Sequence, residues 1–222
     1  MSNPSEPLTI DVVSDVVCPW CYLGKKRLER TLASEQDGAI AVRWRPYQLD
    51  PSIPKGGLDR QTYMINKFGN DGRIEAAHQR LSALGAEEGI AFAFDKIQRA
   101  PNTLDAHRLI RWAFAAGAQD RIVDRLFKLY FEEGRDIGDR ALLIETAGEC
   151  GLDKEIVAKL FEEGADEEAV RAEIAEAQSL GVTGVPFFIF AQRFGVPGAQ
   201  TSDVLAEALN RARKSLAGIE VA

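Results

Sequence analysis

Two cysteines separated by two residues, Cys18-Pro19-Trp20-Cys21, are the part of this sequence best suited to covalent chemistry. A run rich in β-branched residues, Leu8–Val13, precedes them, and apolar residues at helical spacing follow from Tyr22 onward. This pattern predicts a strand that passes directly into a helix, with Cys18 at or just before the helix N-terminus. Unpaired backbone N–H groups and the positive end of the helix dipole favour a thiolate at that position.

The two cysteines are expected to have different roles in disulfide exchange. Cys18, nearer the helix end and nearer solvent, is the expected nucleophile. Cys21 lies one helical turn further on, close enough to attack a mixed disulfide as the resolving thiol. Pro19 suits an early helical position because it has no N–H to leave unsatisfied. Trp20 is expected to pack beside the site and to shape the surface that meets a partner.

A zinc site is the alternative interpretation of a cysteine pair, and the rest of the chain argues against it. Zinc usually takes four protein ligands, and only Cys150, His78 and His107 remain, far away and without paired spacing. No metal is therefore expected. Cys150 is expected to be an inert residue at a helix end, and His78 to lie on the surface of a polar helix.

Composition limits the classes of function that the chain can have. The 222 residues carry a net charge of −7, which argues against nucleic acid or an anionic membrane as a partner. No run approaches the roughly 18–20 apolar residues of a membrane helix. The segment Met1–Pro7 lacks the basic region and apolar core of a secretory signal, and is expected to be a short disordered lead-in. We therefore expect a cytoplasmic protein.

The order of elements along the chain predicts the fold that positions the cysteines. Ile40–Tyr47 alternates like a second strand, Pro186–Phe190 and Arg193–Val196 are expected to form a hairpin turning at Ala191-Gln192, and a terminal helix follows Thr201. Between about residues 58 and 181 we find no convincing strand, but a series of helical segments. These lie near residues 59–69, 71–85, 103–117, 119–133, 139–150, 153–163 and 166–180.

This β-α-β, helical block, β-β-α order predicts an α/β protein, specifically a thioredoxin fold with a large inserted all-helical domain. The helical block is too long to be a simple connection. Residues 1–54 and 181–222 are expected to form a discontinuous thioredoxin-like domain, and residues 55–180 the inserted helical domain.

Val185 and Pro186 mark a second candidate region, at the start of the third predicted strand. A proline that opens a strand has no N–H to donate, so that side must face open space or a ligand. A trans peptide bond is the ordinary expectation. A cis bond would instead turn the Val185 backbone toward an incoming extended chain, and the local sequence leaves both alternatives open.

Several segments together resemble the DsbA-like thioredoxin-fold oxidoreductases, specifically the FrnE-like branch. The most specific are Asp11–Gly24, which contains the cysteine pair, and Gly184–Phe188. Further matches are Gln48–Pro51, Asn102-Thr103 with Ala106–Leu109, and Glu133-Gly134 with Asp136-Ile137. The resemblance runs from about Leu8 to about Leu216. It implies a thioredoxin fold with an inserted helical domain, a dithiol–disulfide active site and a cis-proline at Pro186.

Related families supply the alternative hypotheses. Kappa-class glutathione transferases and 2-hydroxychromene-2-carboxylate isomerases have serine in place of the first cysteine and activate glutathione; Cys18 and Cys21 favour disulfide exchange instead. A glutathione-dependent isomerase or transferase would bind glutathione near Cys18, Val185 and the helix start at Ser202-Asp203. A third hypothesis is a non-catalytic chaperone-like module that binds unfolded protein in the helical cleft.

Asn102 and His107 have two interpretations. His107 is either a partly buried structural histidine, or both residues reach the cleft over Cys18 from the helical domain. A histidine there could stabilise the thiolate or relay a proton. Phe92, Phe94 and Phe131 belong either to the helical core or to the wall of a substrate cleft.

The leading hypothesis is a protein disulfide oxidoreductase that reduces or isomerises disulfides through a mixed disulfide. Its partner is a disulfide-containing protein or a small-molecule disulfide, and the Val185 backbone is expected to pair with it as a short added strand. No metal or organic cofactor is required, and glutathione is the expected co-substrate if one recycles the pair. The sequence leaves the oligomeric state open, a homodimer included.

Overall fold

The computed structural model describes residues 7–35, 39–69 and 71–219, so that almost all of the expected N-terminal lead-in lies outside the described residues. Strand β1 (Leu8–Ser14) leads into helix α1 (Pro19–Ala33), and strand β2 (Ile40–Pro46) returns parallel to β1. Six of the seven side chains of β1 are buried, as expected for a strand covered on both faces. The predicted strand–cysteine pair–helix arrangement is therefore confirmed.

The chain between β2 and the next strand of this sheet is mostly helical. In order, its elements are β3 (Leu58–Asp59), α2 (Arg60–Phe68), α3 (Arg73–Glu87), β4 (Arg99–Ala100), α4 (Leu104–Ala115), α5 (Gln119–Phe131), α6 (Arg140–Glu149), α7 (Lys154–Glu162) and α8 (Glu167–Ser179). All seven predicted helical segments are confirmed. The expectation of no strand in this region was wrong, because β3 and β4 pair antiparallel. Two-residue strands are too short to show alternation.

The last part of the chain completes the sheet. Strands β5 (Phe187–Phe190) and β6 (Phe194–Pro197) form the predicted hairpin, and helix α9 (Ser202–Leu216) follows. The strand order is β2-β1-β5-β6, with β5 antiparallel to both of its neighbours. The fold is therefore a thioredoxin fold with a helical insertion, as predicted from the order of elements.

One cluster of buried side chains spans the sheet and the helical insertion. It contains Ile10 of β1 and Phe188 of β5 together with Leu109 of α4 and Leu126 of α5. The division into residues 1–54 with 181–222 and residues 55–180 stays a prediction, and the two parts share this core. Among the described helices, none is both long and apolar enough to cross a bilayer.

Gly134, between α5 and α6, occupies a position where a side chain is excluded. Its φ is +69°, and a Cβ there would lie 2.5 Å from the Lys96 carbonyl oxygen. We expect Gly134→Ala to lower the free energy of unfolding by about 2–4 kcal/mol, because left-handed strain adds to a backbone clash. Urea denaturation measures this difference.

Gly164 provides the matched control for that substitution. Its φ of +67° is nearly the same, but an added Cβ would meet nothing within 4 Å. Gly164→Ala should therefore cost only the left-handed strain, about 1–2 kcal/mol. Equal losses of stability in the two variants would contradict the clash at Lys96.

Candidate active site

Cys18 occupies the position immediately before α1, with an extended backbone (φ −92°, ψ 112°), and Pro19 opens the helix. The Cys18 N–H donates to the Asp15 carbonyl at 2.9 Å, and the Cys18 carbonyl accepts from the Cys21 N–H at 3.0 Å. No side chain caps this helix. The Cys18 sulfur therefore lies at the positive end of the helix dipole without a competing capping group.

Cys21 lies one turn deeper and is 1 % exposed. Burial raises the pKa of the Cys21 thiol well above its ordinary value, and the neighbouring Cys18 sulfur raises it further. The Ser14 hydroxyl and the Asp15 backbone act in the opposite direction. Cys21 is therefore a protonated thiol at neutral pH. Both cysteines are free, as is Cys150, which is buried at the end of α6 in the expected position.

Val185 and Pro186 meet the cysteine pair although 167 residues separate Val185 from Cys18. The Val185–Pro186 peptide bond is cis, the form that the family resemblance implies. The Cys18 thiol donates to the Val185 carbonyl at 3.6 Å. This proximity follows from the sheet, because β5 begins at Phe187, which pairs with Val13 at the end of β1.

A cleft of about 620 Å³ opens in front of Cys18. One wall contains Cys18, Pro19 and Trp20 with Gly184 and Val185; the opposite wall is formed mainly by α2 and α3. The apolar lining includes Leu49, Ile53, Met64, Phe68, Ile74 and Leu81. Trp20 lines the cleft, with the Arg80 guanidinium 5.9 Å from its ring.

The α2 wall carries polar side chains that sequence reasoning missed. Arg60, Tyr63 and Lys67 line the cleft from successive turns of α2. The Lys67 ammonium and the Tyr63 hydroxyl both contact the Asp50 carboxylate, at 3.2 and 3.0 Å. Arg60 donates to the Tyr130 hydroxyl at 3.1 Å. Their spacing of three and four residues, which places them on one helix face, was the available signal.

His78, predicted to lie on the surface of a polar helix, is half-buried and lines the cleft. Its ring stacks on Phe94 with centroids 4.0 Å apart. Burial, with a contribution from the Arg60 charge, lowers the pKa of His78 below its ordinary value. This histidine is therefore a neutral group at pH 7.

Asn102 and His107 do not lie over Cys18. The Asn102 amide donates to the Ile53 carbonyl at 2.6 Å, while its oxygen accepts from the Leu104 N–H at 3.0 Å. His107 is 2 % exposed, and its Nε2 lies 3.3 Å from the Asp15 carboxylate. The interpretation in which both side chains reach the cleft is therefore wrong, because local hydrogen bonds hold Asn102 and because Asp15 lies between His107 and the cleft.

The expected glutathione contacts at Ser202 and Asp203 are also absent from the lining of this cleft. The Ser202 hydroxyl donates to the Arg27 carbonyl, and Thr31 donates to the Ser202 carbonyl, both at 3.1 Å. These contacts place the start of α9 against the second half of α1. Arg27 is nine residues from Cys18, about 13 Å along the helix.

The three phenylalanines that could have lined the cleft pack against one another instead. The Phe92 ring lies 4.9 Å from Phe94 and 5.5 Å from Phe131, and Phe131 is fully buried. These residues therefore belong to the core of the insertion.

Comparisons with known proteins agree with this fold. Residues 9–210 match the family model of the DSBA-like thioredoxin domain. The probable DsbA oxidoreductase SCO1869 from Streptomyces coelicolor is 33% identical, with a TM-score of 0.86 over 97% of this chain and 92% of that chain.

Two more distant structures share the fold. A 2-hydroxychromene-2-carboxylate isomerase is 17% identical, with a TM-score of 0.71 over 96% of this chain and 100% of the other. Cytosolic disulfide reductase DsbM from Pseudomonas aeruginosa with GSH is 23% identical, with a TM-score of 0.61 over 95% and 98%. These neighbours are consistent with the FrnE-like branch. Because the family model covers nearly the whole chain, the chain belongs to the DSBA-like thioredoxin domain family.

Proposed function

We propose that this chain reduces or isomerises disulfides with the Cys18–Cys21 dithiol, within the thiol–disulfide oxidoreductase chemistry of its family. The observation that carries the proposal is the position of the Cys18 sulfur. It lies at the N-terminal end of α1, faces the cleft, and is 3.6 Å from the Val185 carbonyl. The buried thiol of Cys21 lies directly behind it.

The first step uses Cys18 as the nucleophile. Its thiolate attacks one sulfur of a substrate disulfide, the substrate S–S bond breaks, and the second sulfur leaves as a thiolate. Backbone N–H groups at the start of α1 stabilise the negative charge on sulfur. The Val185 backbone beside Cys18 is suited to pairing with the substrate segment that carries the disulfide.

The second step uses Cys21 as the resolving thiol. Cys21 loses its proton and attacks the Cys18 sulfur, which releases the second substrate thiolate and leaves a Cys18–Cys21 disulfide. A thiol reductant must then regenerate the dithiol. Glutathione is the proposed co-substrate, supported by the structure of DsbM with GSH. No metal or organic cofactor takes part in these steps.

Reduction is the proposed net direction, and a cytoplasmic location is proposed with it, as for the cytosolic disulfide reductase DsbM. A dithiol about 100 mV above the cytosolic glutathione potential would be driven toward its reduced form by about 4–5 kcal/mol. Such a protein would encounter substrates as a dithiol and would therefore reduce or isomerise their disulfides.

A glutathione-dependent isomerase or transferase is the second candidate function. The observation that favours it is the cleft itself, which combines an apolar lining with the Arg60 guanidinium and would suit a small aromatic anion. The fold shared with 2-hydroxychromene-2-carboxylate isomerase agrees with this candidate at the level of architecture. It requires bound glutathione but does not require Cys21.

Cys21→Ser tests the proposed two-step mechanism. We expect this variant to accumulate a mixed disulfide between Cys18 and the substrate or glutathione, because the first step remains and the second is lost. Intact-protein and peptide mass spectrometry identifies the adduct and its position.

Cys150→Ser is the control for this experiment. Burial raises the pKa of Cys150, which lies at the end of α6 and outside the cleft. This variant should turn over disulfides at the wild-type rate. An adduct on Cys150, or no adduct on Cys18 in Cys21→Ser, would contradict the proposed mechanism.

A further inference from the structure

Most of the polar side chains that α2 and α3 contribute to the cleft are paired within the protein. The Lys67 ammonium and the Tyr63 hydroxyl both contact the Asp50 carboxylate. Arg73 forms an ion pair with Asp71. The charges of these side chains are therefore largely compensated before any substrate arrives.

Arg60 carries a charge on this wall that no acidic group compensates. It donates to the Tyr130 hydroxyl, and within the described part of the chain it has no carboxylate partner. Burial raises the pKa of Tyr130 to about 12, so that the phenol is neutral at pH 7. The Arg60 charge therefore acts on a molecule in the cleft without a counter-charge beside it.

The His78 ring is held by stacking alone. Its centroid lies 4.0 Å from that of Phe94, and the two rings are parallel within 5°. His78 is half-buried and lines the cleft, and among the described residues neither of its ring nitrogens has a hydrogen-bond partner. The ring is therefore a polar group of the cleft that no protein contact holds in one protonation state.

The charged groups around His78 set the pH at which it gains a proton. Burial lowers the pKa of His78, and the Arg60 guanidinium on α2 lowers it further. Glu75, one turn earlier on α3, acts in the opposite direction, and the stacking partner Phe94 is uncharged. The wall therefore carries the Arg60 charge alone near neutral pH, and a second positive charge is added when the solution is acidified.

We propose that His78 is a specificity-determining residue that makes the preference of the cleft for negatively charged disulfides depend on pH. The inference rests on the proposed function and concerns the substrate of its first step. While His78 is neutral, Arg60 alone attracts a negatively charged group. Once His78 is protonated, two positive charges on one wall attract it, whereas a neutral disulfide gains nothing.

Two reagents that differ in charge test this proposal. One is 5,5′-dithiobis(2-nitrobenzoate), an anionic aromatic disulfide, and the other is its neutral diamide. In each reaction the Cys18 thiolate attacks one sulfur, the S–S bond breaks, and an aromatic thiolate leaves with the electron pair; its absorbance is followed by stopped flow. The ratio of the two rate constants cancels the pH dependence of Cys18, because the same thiolate attacks both reagents. A Cys150→Ser background, at constant ionic strength, excludes reaction of the third cysteine.

We expect the anionic-to-neutral ratio of rate constants to rise about threefold or more between about pH 7.5 and about pH 5 in the parent protein. His78→Gln cannot gain a proton and should keep the low ratio at both pH values. His78→Arg carries a fixed charge and should give the high ratio at both. Arg60→Gln should lower the ratio at both pH values but retain the rise on acidification.

Lys159→Gln is the control for the overall charge of the protein. Its ammonium is on α7, is 74% exposed and lies outside the cleft. This variant should show the same ratio, and the same rise on acidification, as the parent protein.

A proton NMR titration measures the coupling of the two charges without relying on activity. The chain has two histidines, His78 and His107, so His78→Gln assigns the imidazole signals. The pKa of His78 should lie below that of free histidine and should rise in Arg60→Gln. An identical titration in the parent protein and in Arg60→Gln would contradict the inference, because the two charges would then not act on the same space.

The kinetic results decide between the two proposals. A ratio that does not change with pH in the parent protein would overturn the inference. The parent's full rise in His78→Gln would also overturn it, since another group would then cause the pH dependence. If His78→Arg fails to fold, His78→Gln and the titration decide. A parent protein whose Cys18 reacts with neither reagent would instead contradict the proposed function, on which this inference rests.

Discussion

Replacing Cys18 with serine is expected to lower the rate of disulfide reduction by about 10³-fold or more. A serine hydroxyl is not ionised near neutral pH, and Cys21 cannot reach a substrate disulfide in its place, because Cys18 lines the cleft and Cys21 does not. Reduction of insulin disulfides with glutathione as the terminal reductant, followed by turbidity, measures the loss. Cys150→Ser is the matched control, and it should retain the wild-type rate.

The same Cys18→Ser variant separates the candidate functions. Under the isomerase alternative, conversion of a small aromatic substrate in the presence of glutathione would survive in part, since serine occupies this position in the related isomerases and transferases. Under the chaperone-like hypothesis, suppression of aggregation would be unchanged. Reduction of insulin disulfides at the wild-type rate by Cys18→Ser would contradict the leading proposal.

Arg108→Ala is expected to lower the free energy of unfolding by about 3–5 kcal/mol, the loss typical of breaking a buried ion pair. The Arg108 side chain is fully buried in α4. It donates to the Asp105 carboxylate at 2.6 Å and to the carbonyls of Ala165 and Leu160 at 2.6 and 2.8 Å. Its removal leaves those carbonyls unsatisfied and opens a cavity between α4, α7 and α8.

Arg111, one turn further along the same helix, is the control for this prediction. It pairs with Asp166 and Glu173, but its side chain is 42% exposed. Exposed ion pairs contribute about 0–1 kcal/mol, so Arg111→Ala should change stability little. Chemical denaturation of both variants measures the difference. Equal free energies of unfolding in Arg108→Ala and Arg111→Ala would show that the buried Arg108 contributes no more than a surface ion pair.

The fold was predictable because its local signals agree with one another. The β-branched run of β1, the cysteine pair with Pro19, and the hairpin turn at Ala191-Gln192 each specify one local geometry. The turn is one residue longer than expected, because Arg193 belongs to it and β6 starts at Phe194. Ala191 and Gln192 have positive φ, 51° and 57°. Periodicity identified every long helix of the insertion. The β3–β4 pair was missed because its few residues pair across about 40 positions, with no pattern of their own.

The candidate site was only partly predictable, because its walls come from distant segments. The family resemblance led us to expect that Cys18 and Val185 lie together. The local sequence alone left open whether the Val185–Pro186 peptide bond is cis or trans. Arg60 and Lys67 resemble solvent-facing residues of an ordinary polar helix, and only the packing of α2 turns them toward Cys18. The sequence around Asp15 does not indicate its partner, because the contact between Asp15 and His107 joins residues 92 positions apart.

The neighbouring strands β1 and β5 hold Cys18 and Val185 together. The α2 wall on the opposite side of the cleft is held by other contacts. Helix α2 packs on α3 and on the small β3–β4 pair. Substitutions along its inner face can therefore change which molecules fit without shifting the reacting sulfurs. A combinatorial library confined to Arg60, Tyr63, Met64 and Lys67 would explore new selectivities while leaving exchange chemistry intact, which makes this chain a practical starting point for directed evolution.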